Sequence, residues 1–317
     1  MTLHAKGNLL ALVFGVYTIG TMLFTFWLSN NPLGEPRVFL REPGLSLMGE
    51  SDEEREAAIE AAAELPVDGN IKDYDDKYLS RLKLVARDGT IKSDLDNGID
   101  YHTLPDFSAI KDIPTRKQAF FDYLRPAVQF QNQLVRERRV ILKGIEIYLS
   151  ADKTLNKSQQ HYMDLVRNSY RIPDDYSTLD AVNTLMRRMD TIPVSMVLAQ
   201  AAIESAWGQS RFAREANNLF GQWCFSEGCG LVPNNRPHGK TYEVAKFDSV
   251  DQAVAAYFYN INAFHRYSEI RDIREQARRE QKPLLGYDMV AGLQAYSVRG
   301  QDYIKELRHM IRSNELE

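Results

Sequence analysis

Cysteine and histidine are scarce in this chain of 317 residues, which has two cysteines and six scattered histidines. The sequence contains no HExxH helix and no cluster of histidines that would bind a metal ion. It also lacks a GxSxG nucleophile turn and a glycine-rich phosphate-binding loop. These absences exclude the commonest metallohydrolase, serine-hydrolase and nucleotide-binding classes, and we expect no metal and no cofactor.

Charge is missing from one long stretch near the N-terminus, because no Asp, Glu, Lys, Arg or His occurs from Gly7 to Gly34. Within it, the run LLALVFGVYTIGTMLFTFWL has about the twenty apolar residues that cross a bilayer. A cleaved signal peptide is the alternative, but no Ala-x-Ala pattern follows the run. The sequence therefore predicts a transmembrane anchor over residues 1–30, with Lys6 inside and the remainder of the chain outside the cytoplasm.

A basic stripe is also missing, although the charges are unevenly distributed around a net charge of −4. Residues 1–105 carry 10 Lys/Arg against 17 Asp/Glu, whereas residues 106–317 carry 29 against 26. This excludes a typical nucleic-acid binder but is compatible with an anionic polymer as the partner. We expect residues 31–105 to be an acidic, partly disordered spacer with one short solvated helix over 52–64.

Alternation of apolar and polar residues with a period of two, the pattern of a β-strand, is almost absent from the sequence. Helix signals are dense after Pro105. The sequence predicts a mainly α-helical domain over 106–317, with one plausible strand in TYEVAKF (241–247) and at most a small hairpin. The predicted helices comprise a long segment bent or broken near Pro126, a helix over 157–170 capped by Asn156, Leu179–Met189, a helix after a capping box at Ser249 and Gln252, and a C-terminal helix with Ile304, Leu307, Met310 and Ile311 on one stripe.

A single carboxylate stands out in the most apolar helix. From Ile192 to Trp207 the only ionisable side chain is Glu204. One interpretation is a buried carboxylate paired with an arginine, or one that reaches water at the helix end. The other is a general acid, since burial raises a carboxyl pKa and keeps its proton available near neutral pH. The local sequence leaves both open.

Several motifs in this region resemble those of the family-73 glycoside hydrolases, the bacterial endo-β-N-acetylglucosaminidases. That family combines a helix ending in A-x-E-S-x-W-G with an N-L-F-G turn, and the corresponding segments here are Ala202–Gly208 and Asn218–Gly221. The segments TRKQAFFDYLRP, ERRVIL, HRYSEIR and YSVRGQDYI are similar to those of its Bax-type branch. The resemblance spans about 106–317, with its core motifs in 180–270.

This resemblance implies a lysozyme-like helical fold, with Glu204 as the catalytic acid that cleaves the β-1,4 glycan strands of peptidoglycan. Together with the predicted anchor over 1–30, which the resemblance does not cover, this puts the anchor in the inner membrane and the domain in the periplasm. A lytic transglycosylase also depends on one glutamate and is the main alternative. A catalytically weak cell-wall-binding module is a third possibility. Burial of an acid is energetically unfavourable, however, so a site without catalytic function is not expected to retain one.

The resemblance leaves the second catalytic group open. Glu243 in TYEVAKF and Glu227 between the cysteines are candidates, and the 2-acetamido group of the substrate, with Tyr267 stabilising the developing charge, is another. Trp207 is predicted to be core, together with Tyr257, Phe258 and Ile261. The predicted substrate-binding residues are Asn218, Leu219, Phe220, Gly221 and Trp223, the last by stacking on a sugar.

The two cysteines, Cys224 and Cys229, allow two interpretations. A nucleophilic cysteine assisted by His238 or His265 is conceivable. In a domain outside the cytoplasm, however, two cysteines this close favour a disulfide. Such a bond would stabilise the fold by roughly 2–3 kcal/mol and would brace a loop beside the site.

Overall fold

A computed structural model describes residues 52–63 and 98–317. The predicted anchor over 1–30 and most of the predicted spacer lie outside these residues. Within the described residues, no helix is long and apolar enough to cross a membrane. The α-helices in chain order are α1 (Asp52–Ala63), α2 (Ile113–Ser150), α3 (Lys157–Tyr170), α4 (Thr178–Arg188), α5 (Val194–Glu204), α6 (Arg211–Ala216), α7 (Val250–Ala263), α8 (Ser268–Arg279), α9 (Gly286–Met289) and α10 (Gln301–Ser313).

The domain is mainly helical with one small antiparallel sheet, as predicted. Its strands are β1 (Trp223–Cys224), β2 (Gly230–Leu231) and β3 (Glu243–Ala245), with β3 in the centre. The register pairs Trp223 with Val244 and Cys224 with Glu243. Gly230 is required where β2 meets β3, because a Cβ there would lie 1.9 Å from the Val244 carbonyl oxygen. The described sheet has three strands, which is one more than the predicted hairpin, and the predicted strand in TYEVAKF is its central one.

Helix α1 matches the short helix predicted over 52–64, but it is not fully solvated. It packs against α2, and Ala58 on this face is buried. The chain packs onto the domain again from Tyr101, which is buried against Tyr123. Its carbonyl oxygen accepts a hydrogen bond from the N–H of Val250 at the start of α7. The packed domain thus includes residues just before the predicted start at 106.

Helix α2 continues through Pro126, so of the two predicted possibilities, bent or broken, the break is excluded. A proline inside a helix costs about 3 kcal/mol through the lost N–H and a steric clash. Here the neighbours Leu124, Ala127 and Val128 are fully buried. Burial of such side chains contributes about 1.5–3 kcal/mol for each large one, which offsets the proline.

Two helix caps were predicted from the local sequence, and the structure contains one of them. Asn156 caps α3 through a complete capping box with Gln159, as predicted over 157–170. The predicted capping box of α7 is wrong, although the helix begins at Val250. Ser249 makes no capping hydrogen bond, and the side-chain amide oxygen (Oε1) of Gln252 accepts from the N–H of Asp248 instead.

Helix α5 lies in the core, where its residues from Ser195 to Ala202 are buried. It packs against α2, α9 and α10. The helix is shorter than the span Ile192–Trp207 that the sequence suggests, and it ends at Glu204. The core also contains Tyr257, Phe258 and Ile261 of α7, as predicted, and the buried stripe of α10 formed by Ile304, Leu307 and Ile311.

Arginine side chains, buried for Arg271 and Arg274 and half-buried for Arg188, hold the C-terminal ends of several helices. Arg188 donates to the Tyr170 carbonyl oxygen at the end of α3, and Arg274 donates to the Arg188 carbonyl oxygen at the end of α4. Arg271 donates to the Asn262 carbonyl oxygen at the end of α7. Cations at these positions satisfy free carbonyl groups and oppose the negative end of the helix dipole. They fix the layer of helices that supports the start of α5.

Candidate active site

Glu204 is the last residue of α5, where the buried helix reaches the surface. Its side chain is half-buried. Its Oε1 atom accepts a hydrogen bond of 2.7 Å from the hydroxyl of Tyr303 on α10. A Cβ built on the exposed residue Gly221 would lie 3.7 Å from Oε2. One carboxyl oxygen is therefore held by the protein, and the other borders an open surface.

The backbone reverses sharply after Glu204. Ala206 and Trp207 adopt positive φ angles of 52° and 60°, and Gly208 follows with 75°. A left-handed conformation costs a non-glycine residue roughly 1–2 kcal/mol. The Trp207 N–H donates to the Ala202 carbonyl oxygen at 2.8 Å, which fixes the turn. The strain therefore lies next to the carboxylate and is held by the end of its own helix.

The ring of Trp207 secures this turn from the other side. It packs edge-on against Phe120 and Phe121 of α2, and Lys117 lies over its face. The predicted core position of Trp207 is confirmed. Because the ring is held in the core, the left-handed turn cannot relax without losing this packing.

A directional chain of hydrogen bonds leads to Glu204. The Tyr257 hydroxyl donates to Oε1 of Gln200, and Nε2 of Gln200 donates to the Tyr303 hydroxyl at 3.0 Å. Tyr303 thus receives a hydrogen bond and directs its own hydrogen to Glu204. Gln200 and Tyr257 are fully buried and Tyr303 is nearly so. The chain fixes Oε1 as an acceptor and leaves Oε2 as the oxygen that can hold a proton.

The environment raises the pKa of Glu204 above its ordinary value. Burial is the largest cause, and the nearby charge of Glu306 acts in the same direction. The hydrogen bond from Tyr303 and the charge of Arg299 oppose it. Arg299 and Glu306 pair with each other at 2.7 Å, so their effects on Glu204 partly cancel. The net result is a carboxyl group that holds its proton to higher pH than an exposed glutamate.

Three tyrosines form one cluster beside the acid. Tyr296 stacks parallel to Tyr303 at 5.9 Å between ring centroids, and Tyr267 lies 5.9 Å from Tyr296. The Tyr296 hydroxyl donates to the Phe220 carbonyl oxygen at 2.6 Å, which ties α10 and its preceding loop to the N-L-F-G turn. Burial raises the pKa of Tyr267 to about 12, so its hydroxyl keeps its proton and can donate it in a hydrogen bond. The structure brings Tyr267 to the same region as Glu204.

The N-L-F-G turn contributes its backbone and one glycine. Asn218, Leu219 and Phe220 are buried, so their side chains are not available to a ligand. The Asn218 amide donates to the carbonyl oxygens of Gln222 and Ala245 and accepts from the N–H groups of Phe220 and Gln222. This asparagine joins the turn to β3, and Gly221 is the exposed residue that borders Glu204.

Glu243 lies on β3 and is buried. Its Oε1 accepts from the Gly228 N–H at 3.1 Å and its Oε2 from the Gly230 N–H at 2.8 Å. Both carboxylate oxygens therefore hold the loop between β1 and β2. Glu227, the other predicted acid, is exposed within this loop.

The two cysteines form a disulfide, as predicted, with 6.1 Å between their Cα atoms. The alternative of a nucleophilic cysteine assisted by His238 or His265 is therefore wrong, because neither sulfur is a free thiol. Cys224, Cys229 and Glu243 also come close enough together to suggest a metal site. Metal binding needs thiolates, which the disulfide removes.

Comparison with known proteins places these residues in a family. Residues 179–316 match the family model described as Glucosaminidase, mannosyl-glycoprotein endo-beta-N-acetylglucosaminidase. The chain is 32% identical over 224 residues to Protein bax of Escherichia coli (strain K12), across 69% of this chain and 77% of that protein. The chain belongs to the glucosaminidase family. It is thus a glycoside hydrolase of the family-73 type, as its motifs indicate.

A structural similarity is weaker. The catalytic domain of the autolysin Auto from Listeria monocytogenes matches 66% of this chain and 90% of its own length, at 17% identity and a TM-score of 0.33. A TM-score of this size does not establish a common fold. Membership of the glucosaminidase family rests on the sequence match, and the lysozyme-like character of the helical domain stays a prediction.

The matched region contains both halves of the hydrogen-bonded site. Glu204 and its turn lie near its beginning, and Tyr303 lies near its end. Sequence reasoning identified Glu204 but missed Gln200, Tyr296 and Tyr303. The only local signal for Gln200 was that it is a polar residue in an apolar helix. The only local signal for Tyr296 and Tyr303 was that they are the tyrosines of the YSVRGQDYI motif.

Proposed function

We propose that this glucosaminidase is an endo-β-N-acetylglucosaminidase that hydrolyses the β-1,4 glycan strand of peptidoglycan, with Glu204 as general acid. The observation that carries the proposal is the unequal environment of its two carboxyl oxygens. Tyr303 holds Oε1, and Oε2 faces the exposed Gly221. A proton on Oε2 is therefore directed towards the side from which a glycan strand can approach.

In the proposed reaction, Glu204 transfers this proton to the glycosidic oxygen as the bond from that oxygen to C1 of the sugar breaks. Such proton donation contributes about 10²–10⁴-fold to the rate. The raised pKa of Glu204 keeps the carboxyl protonated closer to neutral pH. The Tyr303 hydroxyl then stabilises the carboxylate that remains, through a charge-assisted hydrogen bond.

The second catalytic group is proposed to come from the substrate. Glu243 gives both oxygens to backbone N–H groups, and Glu306 pairs with Arg299. The 2-acetamido group of N-acetylglucosamine can attack C1 instead and is later displaced by water. Tyr267 is buried in the tyrosine cluster beside Glu204 and keeps its proton, so we propose that it stabilises the charge that develops on this group.

The same observation favours one alternative reaction. A lytic transglycosylase also needs a single acid, and the substrate's own C6 hydroxyl then attacks C1 in place of water. The two reactions differ in their products, because hydrolysis leaves a reducing sugar and transglycosylation leaves a 1,6-anhydro end. Mass spectrometry of fragments from purified peptidoglycan separates them.

The experiment that tests the acid is Glu204→Gln, assayed as release of soluble fragments from purified peptidoglycan. The amide is nearly the same size but cannot donate the proton, so we expect activity to fall by at least about a hundredfold. Glu306→Gln is the control, because it changes a nearby charge and leaves the acid in place. Retention of more than a few per cent of activity by Glu204→Gln would exclude it as the general acid.

We also propose that the domain works in the periplasm, attached to the inner membrane by residues 1–30. The uncharged run from Gly7 to Gly34 and the disulfide support this placement, since disulfides persist in oxidising compartments. A reporter fused after Glu317 should be active only on the periplasmic side. A mature protein that starts near Asn30 would indicate a cleaved signal peptide instead.

A further inference from the structure

The loop between β1 and β2 is fixed from two directions, although its own surface is exposed. The disulfide joins Cys224 to Cys229 at its base. Glu243 accepts hydrogen bonds from the N–H groups of Gly228 and Gly230 across the loop. A carboxylate buried this deeply needs such partners, and backbone N–H groups satisfy it without a cation. The loop is therefore preorganised.

Aromatic side chains project from the same small sheet. Trp223 stacks on Tyr242 with 4.3 Å between ring centroids and an angle of 9° between the planes. Trp223 is 55% exposed and Phe225, two residues further, is 74% exposed. The half-buried Tyr242 covers one face of the indole, so the exposed area belongs to its other face and its edges. We call Trp223, Tyr242 and Phe225 the aromatic ledge.

The ledge lies close to the acid. Gly221 borders Oε2 of Glu204, and Trp223 follows Gly221 by two residues, a separation of at most about 7 Å between Cα atoms. A polymer that occupies the acid therefore passes beside the ledge. The C–H faces of a sugar ring suit a flat aromatic face, because the face carries the negative part of the ring quadrupole.

We propose that the aromatic ledge binds an N-acetylhexosamine ring of the glycan strand next to the cleaved bond, and that Glu243 is the positioning residue that holds the ledge in place. This inference rests on the proposed function for its substrate. It gives Glu243 a role in binding rather than in the chemical step. Rigid presentation of an aromatic surface lowers the entropic cost of binding, which explains why a buried carboxylate and a disulfide brace so short a loop.

The test measures binding and turnover separately. Binding is measured in the Glu204→Gln background with a soluble β-1,4 oligomer of N-acetylglucosamine, and kcat and KM are measured on solubilised peptidoglycan strands with Glu204 intact. We expect Trp223→Ala to weaken binding and raise KM by about tenfold, the loss of one stacking contact. Trp223→Phe should recover part of the loss. Ile113→Ala, which alters a side chain of equal exposure on α2, is the control.

The role of Glu243 is tested with Glu243→Gln. One of its oxygens becomes an NH₂ group that faces a backbone N–H, so the loop loses a hydrogen bond and the ledge loosens. We expect KM to rise and kcat to stay close to wild type. The two substitutions combined should weaken binding by less than the product of their separate effects, because Glu243 acts through the ledge to which Trp223 belongs.

Unchanged binding and KM in Trp223→Ala would overturn the ledge. A hundredfold fall in kcat for Glu243→Gln with unchanged binding would also overturn it and would make Glu243 catalytic. Failure of the proposed function looks different, because the wild type would then release no fragments from peptidoglycan. Loss of oligomer binding in Trp223→Ala would still support the ledge in that case.

Discussion

Two carboxylates flank helix α5, and the protein treats them in opposite ways. Asp190 lies just before the helix and Glu204 at its end. Burial opposes ionisation of Asp190, but the charges of Arg139, Arg274 and Arg278 outweigh it and lower its pKa. No described arginine forms an ion pair with Glu204, and burial raises its pKa. The arginine-paired interpretation considered for Glu204 is thus the actual arrangement of Asp190.

The comparison shows what separates a permanently ionised structural acid from one that can retain its proton. Both side chains are withdrawn from water, so burial alone does not decide their ionisation. The deciding factor is the partner, which is a set of cations for Asp190 and a neutral tyrosine for Glu204. A neutral donor orients the carboxyl group without forcing it to lose its proton.

The largest expected effect comes from Asp190→Asn, which leaves the buried Arg274 without its compensating charge. We expect the free energy of unfolding at pH 7 to fall by about 3–5 kcal/mol, measured by urea denaturation. Asp272→Asn removes an exposed partner of Arg187 and should cost at most about 1 kcal/mol. Equal effects of the two substitutions would contradict the structural role of Asp190.

The stabilising effect of Asp190 also has a defined pH dependence. A lowered folded pKa contributes stability above the ordinary value of 3.8, and this contribution is lost as pH falls through the folded pKa. The difference between wild type and Asp190→Asn should therefore shrink below about pH 3.8.

For Glu204→Gln, the effect of the substitution on stability at neutral pH is expected to have the opposite sign from that of Asp190→Asn. A raised folded pKa means that the folded state loses stability as pH rises from the ordinary 4.5 through the folded pKa. Glutamine avoids this loss, so Tm at pH 7 should equal or exceed that of the wild type. The advantage should disappear below pH 4.5. A large fall in Tm at pH 7 would place Glu204 in the same class as Asp190.

Removal of the Tyr303 hydroxyl, the neutral hydrogen-bond partner, tests what sets the pKa of Glu204. Tyr303→Phe deletes the hydrogen bond that favours ionised Glu204, so the pKa of Glu204 should rise further. The pH at which activity falls on the alkaline side should therefore be higher. The alkaline limb of the profile of kcat/KM against pH should shift to higher pH. Tyr259→Phe, whose hydroxyl binds the Ser169 carbonyl oxygen, is the control and should leave the limb in place. A shift to lower pH would reverse the assigned role of Tyr303.

The smallest effect concerns the turn after Glu204. Ala206→Gly relieves a left-handed conformation, and we expect a gain of about 0.5 kcal/mol in unfolding free energy after the added chain entropy is subtracted. Ala213→Gly inside α6 should lose about 1 kcal/mol instead. A destabilised Ala206→Gly would show that the turn is not strained at this residue.

The helices could be predicted from sequence because their signals are local. Asn156 and Gln159 form their capping box within one turn, and the apolar stripe of α10 repeats at helical spacing. Continuity of α2 through Pro126 was one of two predicted possibilities, and the local sequence could not decide between them, since packing against distant residues compensates the proline. Ser249 shows the converse, because its capping motif is present but its partner bonds elsewhere.

Residues of the site could be predicted only where their side chains differ in polarity or charge from their neighbours in the sequence. Glu204 stood out as a charge in an apolar helix, whereas Tyr303 lies 99 residues away and looks like an ordinary helix residue. The plausible strand in TYEVAKF indicated that Glu243 lies on β3, but not that two loop N–H groups would occupy its oxygens. Such pairings depend on tertiary contacts that no local pattern contains.

The hydrogen bond between Tyr303 and Glu204 also sets an order of events during synthesis. Helix α5 leaves the ribosome well before α10, and domains fold as their segments become available. Until α10 docks, Glu204 lacks the hydroxyl that orients its carboxyl group. The oriented acid is therefore assembled last, so a nascent chain that still lacks α10 carries the glutamate but not the completed site.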